Sequence, residues 1–283
     1  MTPCIVCGST QRQELRLNRL PLFKCDSCSL MWRRTFDMPL SHYEEADPRS
    51  SPERAASRLR NAHDRIHTLF AGIPTTNVCD VGTGEGTFLA ALKEEGGDGV
   101  GIEPGLRYRE EAARMGVRMV GETFKDVPRA VREEGVQTLT LFHVIEHIER
   151  PDEMLRLFFD ALPPGGRVII ETPNMSSPVL KAANYQDPLI YPEHLYYFNE
   201  DNLHRLLENV GFRVSAGGRR DFDQYNMPIR QSLLRLFGSS YGTAVPTVPA
   251  KREASWRSAL RSRLSRRVIA TGRLNYMWFV AQK

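Results

Sequence analysis

Between residues 53 and 216 the apolar positions switch repeatedly between two periods, and the switching points to a fold class. Ala56, Leu59, Ala62, Ile66 and Leu69 recur at the three-to-four spacing of one helix face. The compact run Val78-Cys79-Asp80-Val81 then reads as a buried strand, and Phe88, Leu89 and Leu92 resume helical spacing over 86–95. The alternation continues with strand 99–103, helix 107–115, strand 117–120, helix 125–134 and strand 137–142. Leu162-Pro163-Pro164-Gly165-Gly166 is a turn into a strand from Arg167 to Thr172. Asn199 is a good N-cap, with Glu200 and Asp201 in the first helical turn and Gly211 as the stop. Strands alternating with helices imply an α/β, doubly wound fold whose mostly parallel sheet is covered on both faces. Ligands of such sheets bind at the carboxyl ends of the strands.

The junction after the first of these strands carries a chemical signal. Gly82, Gly84 and Gly86 stand at every second position after Asp80. Glycines at that density let the backbone bend sharply and approach a ligand, while the first N–H groups of the helix open into the same space. A dinucleotide fingerprint, Gly-x-Gly-x-x-Gly, is tuned to a pyrophosphate. Here the third glycine falls one residue early and an acid precedes the turn, which disfavours a pyrophosphate. Gly99-Val100-Gly101-Ile102-Glu103-Pro104 ends the next strand in a carboxylate 17 residues beyond Gly86, where an acid can accept both ribose hydroxyls.

Asp-x-Gly-x-Gly-x-Gly followed by that acid resembles the first motifs of class I S-adenosylmethionine-dependent methyltransferases. The resemblance implies a Rossmann-like, seven-stranded sheet and S-adenosylmethionine as cofactor. Asp80, Gly82, Thr83, Gly84 and Gly86 would hold its methionine end, and Glu103 with Pro104 its ribose. Farther along, Leu141-Phe142-His143-Val144-Ile145-Glu146-His147-Ile148 resembles the hv-l/i-E-H-i segment of a large class I methyltransferase family. That places His143 at the cofactor edge. On a helix, His143 and His147 would share one face and could in principle grip a metal, but the family implies none. Leu162 to Gly166 with Thr172-Pro173-Asn174 resembles the family's L-x-P-G-G … t-P-N strand, whereas its customary Phe-Asp is replaced by Val136-Gln137. The runs 211–216 and 274–281 resemble the last antiparallel pair of the same sheet.

Tyr191-Pro192-Glu193-His194-Leu195-Tyr196-Tyr197-Phe198 clusters acid/base side chains just before a helix. Imidazole titrates near neutrality and an adjacent carboxylate can orient it, so Tyr191, Glu193 and His194 form a candidate catalytic set, with His143 a second candidate base. The alternative is that the segment only docks on the sheet.

Four of the five cysteines form Cys4-x2-Cys7 and Cys25-x2-Cys28, 17 residues apart, the pattern of two knuckles closing on a tetrahedral metal. Each knuckle is followed by a small residue, Gly8 or Ser29, and no ligand position is left open, so a structural zinc is expected. A short module buries little apolar surface alone, and the metal would supply folding energy. On this view Cys25→Ser unfolds the module and leaves catalytic residues untouched. Cys79 reads as a small buried filler. Deoxysugar C-methyltransferases resemble the chain in both respects, the four-cysteine module and a Tyr-x-Glu-His-x-x-Tyr-Phe segment supplying the base. That resemblance implies a small-molecule acceptor such as a sugar nucleotide or carrier-linked sugar; a natural-product O-methyltransferase is the nearest competitor.

Five regions follow: a zinc-binding module at 1–36, a linker at 37–52 containing Tyr43, a core at 53–220, a basic helical insertion at 221–273 and a final strand at 274–283. His63 and His67, one turn apart, read as solvated or capping. The formal charge is only +4, but residues 251–273 carry +7 of it and the remainder sums to −3. Within 253–269, Trp256, Leu260, Leu264 and Val268 make a basic amphipathic stripe suited to an anionic membrane, a carrier lipid, nucleotide-sugar phosphates or simple packing on the core. A zinc module beside a basic helix also admits nucleic-acid binding or RNA methylation, although basic and aromatic residues are not interleaved as in single-strand binders. The chain has no run of 18 apolar residues and begins without the apolar stretch of a signal peptide, so the expected location is cytoplasmic.

Overall fold

The computed structural model describes residues 3–35, 52–177, 180, 190, 192–220 and 275–283. Tyr43, Tyr191 and the basic stretch 251–273 lie outside the described residues. In chain order come β1 (Arg12–Leu17), β2 (Leu20–Cys25), β3 (Met31–Arg33), α1 (Pro52–Leu69), β4 (Val78–Val81), α2 (Thr87–Glu94), β5 (Gly99–Ile102), α3 (Leu106–Arg114) and β6 (Arg118–Gly121). Then follow α4 (Val127–Glu134), β7 (Thr138–Phe142), α5 (Pro151–Ala161), β8 (Arg167–Pro173), β9 (Tyr196–Tyr197), α6 (Glu200–Val210), β10 (Arg213–Arg220) and β11 (Tyr276–Gln282).

Seven strands form one sheet in the order β10-β11-β8-β7-β4-β5-β6. β4, β5, β6, β7 and β8 pair in parallel, while β11 runs antiparallel to both β8 and β10. Successive strand residues serve opposite faces. Val168 and Ile170 join Leu155, Phe158, Leu206 and Leu207 on one side, whereas Ile169 joins Ile66, Leu69, Phe88 and Leu92 on the other. Burial of each such side chain favours folding by about 1.5 to 3 kcal/mol. Cys79, fully buried in β4, is the filler expected of it. Chain order reverses between β4 and β7, so the crevice at their carboxyl ends is the place for a ligand.

Two local expectations change and a third gains detail. Residues after β7 do not enter a helix: Ile145–His147 is a 3-10 turn and α5 starts only at Pro151, so His143 and His147 share no helical face. His63 and His67 both bond the carboxylate of Glu95, at 2.5 and 3.0 Å, tying α1 to the end of α2. Tyr196 and Tyr197 are strand rather than loop. As β9 they complete a second sheet, ordered β1-β2-β3-β9, in which Trp32 pairs with Tyr196 and Met31 with Tyr197.

Candidate functional site

At the carboxyl end of β4 the chain turns through three glycines with left-handed φ, +76° at Gly82, +56° at Gly84 and +83° at Gly86. Their duties differ. A Cβ at Gly82 would lie 2.5 Å from Val144 Cγ2, and one at Gly86 would lie 2.9 Å from Ala112 Cβ and Val117 Cγ2. Those two glycines permit packing. Gly84 faces open space among the described residues, none of which comes within 4 Å of where a Cβ would stand.

Around that space the polar groups converge. Glu103 receives the N–H of Gly84 on Oε2 and of Gly105 on Oε1, each at 2.9 Å. Each oxygen keeps a lone pair for a hydroxyl. Burial raises the Glu103 pKa, and the two backbone N–H groups work against the rise. Asp80 accepts the Thr140 hydroxyl at 2.5 Å, yet burial pushes its carboxyl up to about 6. The buried Thr83 hydroxyl stands near enough to favour the Asp80 charge without reaching hydrogen-bond geometry, and has no partner among the described residues. A buried carboxylate, an unused hydroxyl and an open glycine together fit a ligand that brings a cation and donors.

Val144, packed on Gly82, carries the site to the end of β7. His143 has φ +60°, a strained value for a side chain of this size, and its ring meets the Tyr276 ring edge-on at 5.1 Å. Nδ1 lies 3.4 Å from Glu146 Oε1 and Nε2 lies 3.3 Å from Glu171 Oε1. Burial opposes the imidazolium, but the two carboxylates outweigh it and raise the His143 pKa. Both carboxylates are held below their ordinary range despite burial. Glu171 is anchored in turn by Arg65, at 2.7 and 3.0 Å, and by Arg220 at 3.0 Å, and Arg220 reaches Asp64 at 2.7 Å.

His194 is 2% exposed, with Nε2 3.9 Å from Glu146 Oε1. Glu146 thus faces two imidazoles through one oxygen, while Thr172 donates to the other at 2.9 Å. Glu193 contributes its carbonyl, 2.9 Å from His147 Nδ1. Glu146, His147 and His194 offer ligand atoms within 4.8 Å of one another, a grouping that omits His143. Glu171, Arg65 and Arg220 were not singled out by the sequence, and Glu146 only as a member of the motif with His143 and His147. Glu171 had a signal, a carboxylate directly after the apolar run Val168-Ile169-Ile170 in the same strand.

The four cysteines converge as well. Cys4 and Cys28 Sγ are 3.5 Å apart, as are Cys7 and Cys25 Sγ, and all four lie within 4.8 Å of one another. Tetrahedral zinc with bonds of about 2.3 Å requires sulfur separations of about 3.8 Å. The knuckles repeat each other: Gly8 N–H bonds Cys4 O and Ser29 N–H bonds Cys25 O, at 2.8 and 3.0 Å, with both residues at positive φ.

The family description of a methyltransferase domain matches residues 53–216, more than half of the chain. The chain belongs to the methyltransferase domain family. It is an S-adenosylmethionine-dependent methyltransferase, and the glycine turn with Asp80 and Glu103 occupies the expected carboxyl edge of its sheet. Solved structures share the methyltransferase's fold at low identity. A SAM-dependent methyltransferase from Archaeoglobus fulgidus is 19% identical with a TM-score of 0.51, over 83% of this chain and 95% of that one. Another from Thermotoga maritima is 16% identical with a TM-score of 0.54, over 82% and 93%. The plantazolicin methyltransferase BamL, solved with S-adenosylhomocysteine, is 14% identical with a TM-score of 0.52, over 82% and 87%. No curated protein gives a significant match. No described helix of the methyltransferase is long and apolar enough to cross a membrane.

Proposed function

We propose that this methyltransferase modifies a small molecule, a sugar nucleotide or carrier-linked sugar, on carbon or oxygen, with His194 as the acid/base. The observation that carries the reading is the buried His194 ring, set beside Glu146 at the end of β7, one turn from the glycine loop that Val144 touches. The cofactor supplies an electrophilic methyl on a sulfonium. Asp80 and the loop 82–86 hold the methionine end, and Glu103 with Pro104 holds the ribose. Alignment of acceptor and methyl supplies much of the rate. His194 removes the acceptor proton, Glu146 stabilises the imidazolium that results, and Glu193 and Tyr191 complete the acceptor side. His143, whose imidazolium Glu146 and Glu171 favour, would stabilise the developing anion.

Cys4, Cys7, Cys25 and Cys28 hold a structural zinc, a role supported by their sulfur spacing and paired knuckles. The +7 stretch 251–273 favours an anionic acceptor or a surface bearing a carrier lipid, and the working location is the cytoplasm. Screening sugar nucleotides with labelled cofactor tests the acceptor class. On the acceptor so found, His194→Gln should lower turnover by roughly 10² to 10⁴ with cofactor affinity kept, and remove an inflection near neutrality. Full activity in that variant would end the acid/base assignment. With S-adenosylhomocysteine in D₂O, exchange of the acceptor's acidic C–H marks carbon as the methyl acceptor, and its absence marks oxygen.

A further inference from the structure

We infer that the four-cysteine sheet is a positioning scaffold for the His194 segment, and that Arg33 is the residue through which it acts. The inference rests on the acid/base reading of His194. The module does not close on itself: its fourth strand, β9, begins two residues after His194. Arg33, only 6% exposed, grips the chain on both sides of that histidine. Its N–H donates to Leu195 O at 2.8 Å, and its guanidinium Nη1 donates to Pro192 O.

The path from the thiols to this grip is short. Cys25 ends β2, its N–H bonds Leu30 O at 2.9 Å, and Met31 opens β3 directly afterwards. Closure of the second knuckle therefore sets where β3, and with it Arg33, must lie. The opposite side of the segment is fixed by the methyltransferase core: Leu195 N–H donates to Glu146 O at 2.8 Å and Tyr196 Oη to Glu149 O at 3.0 Å. His194 sits between two independent supports. A shift of about 1 Å in such a group can cost on the order of 10² in rate. This departs from the expectation that Cys25→Ser leaves catalytic residues untouched.

Hydrogen exchange of the full-length protein, with and without a zinc chelator, tests the coupling without an acceptor. Chelation should speed exchange at least tenfold in residues 30–34 and 192–199, shift the His194 titration midpoint seen by histidine NMR, and leave S-adenosylhomocysteine affinity within twofold. Arg33→Gln should speed exchange in 192–199 and shift the same midpoint with all four thiols still holding metal. Arg33→Lys, which keeps a donor in reach, should restore most of the wild-type behaviour. Unchanged exchange in 192–199 and an unchanged His194 midpoint after chelation would overturn the inference while leaving the acid/base reading standing. Full turnover in His194→Gln would have the opposite effect, removing the acid/base role and leaving the exchange result in place.

Discussion

Replacing glycines of the turn one at a time separates ligand space from packing space. Gly84→Ala puts a methyl into the opening that no atom of the described residues fills, at a backbone φ of +56°. The left-handed conformation costs an alanine roughly 1 to 2 kcal/mol, so the melting temperature should fall by about 2 to 4 °C per kcal/mol lost. Gly86→Ala carries the same conformational cost and adds contacts at 2.9 Å with Ala112 and Val117. Overpacking of that kind costs a further 1 to 3 kcal/mol or so. The expected pattern is therefore opposed: Gly84→Ala melts only about 2 to 8 °C below wild type but binds S-adenosylhomocysteine at least tenfold more weakly, about 1.4 kcal/mol. Gly86→Ala loses far more stability than Gly84→Ala does. Thermal unfolding with titration calorimetry reads both quantities. Wild-type cofactor affinity in Gly84→Ala would refute the assignment of this opening to the methionine end.

Four further outcomes follow from the same geometry. Because the Asp80 carboxyl sits at about 6 and a cationic ligand favours its ionised form, cofactor affinity should be level at neutral pH and fall toward tenfold per pH unit below 6; calorimetry that stays flat down to pH 5 would contradict this. Glu103→Ala should weaken cofactor binding by about 1 to 3 kcal/mol, and an affinity equal to wild type would exclude contact with the ribose. In Glu146→Gln the loss of stability should be largest between the ordinary glutamate and histidine values of 4.5 and 6.5, where lowered Glu146 and raised His143 both favour the fold, and should shrink as pH rises through the raised His143 value; melting curves at several pH values check it. Purified protein should carry one zinc per chain, lost in Cys25→Ser, and metal that survives that change would point to Glu146, His147 and His194.

The core sheet was legible because its signals are local. Periodicity gave β4, β5, β6 and β7 to within a residue or so, and the glycine turn declared itself by spacing and by the acid before it. Relations across distant segments were not. Tyr196 and Tyr197 look like loop because a two-residue strand has no periodicity of its own, and only the edge of β3 makes them one. The 3-10 turn after β7 was read as helix since His143, Glu146 and His147 have helical spacing, and nothing nearby reveals the positive φ at His143. Glu193 was the natural neighbour for His194 in sequence, while the carboxylate beside its ring is Glu146, brought from 48 positions away by the pairing of Leu195 with the turn.

The shared strand also orders events during synthesis. β3 leaves the ribosome with one edge paired to β2 and the other bare, and its partner β9 lies more than 160 residues downstream. At roughly 5 to 20 residues per second, that edge waits on the order of 10 to 30 seconds. An unpaired edge is a template for strands of other chains. That edge is closed only by the arrival of Tyr196 and Tyr197, which seats His194 in the same movement. A nascent chain arrested before residue 196 would expose the hazard without acquiring the site.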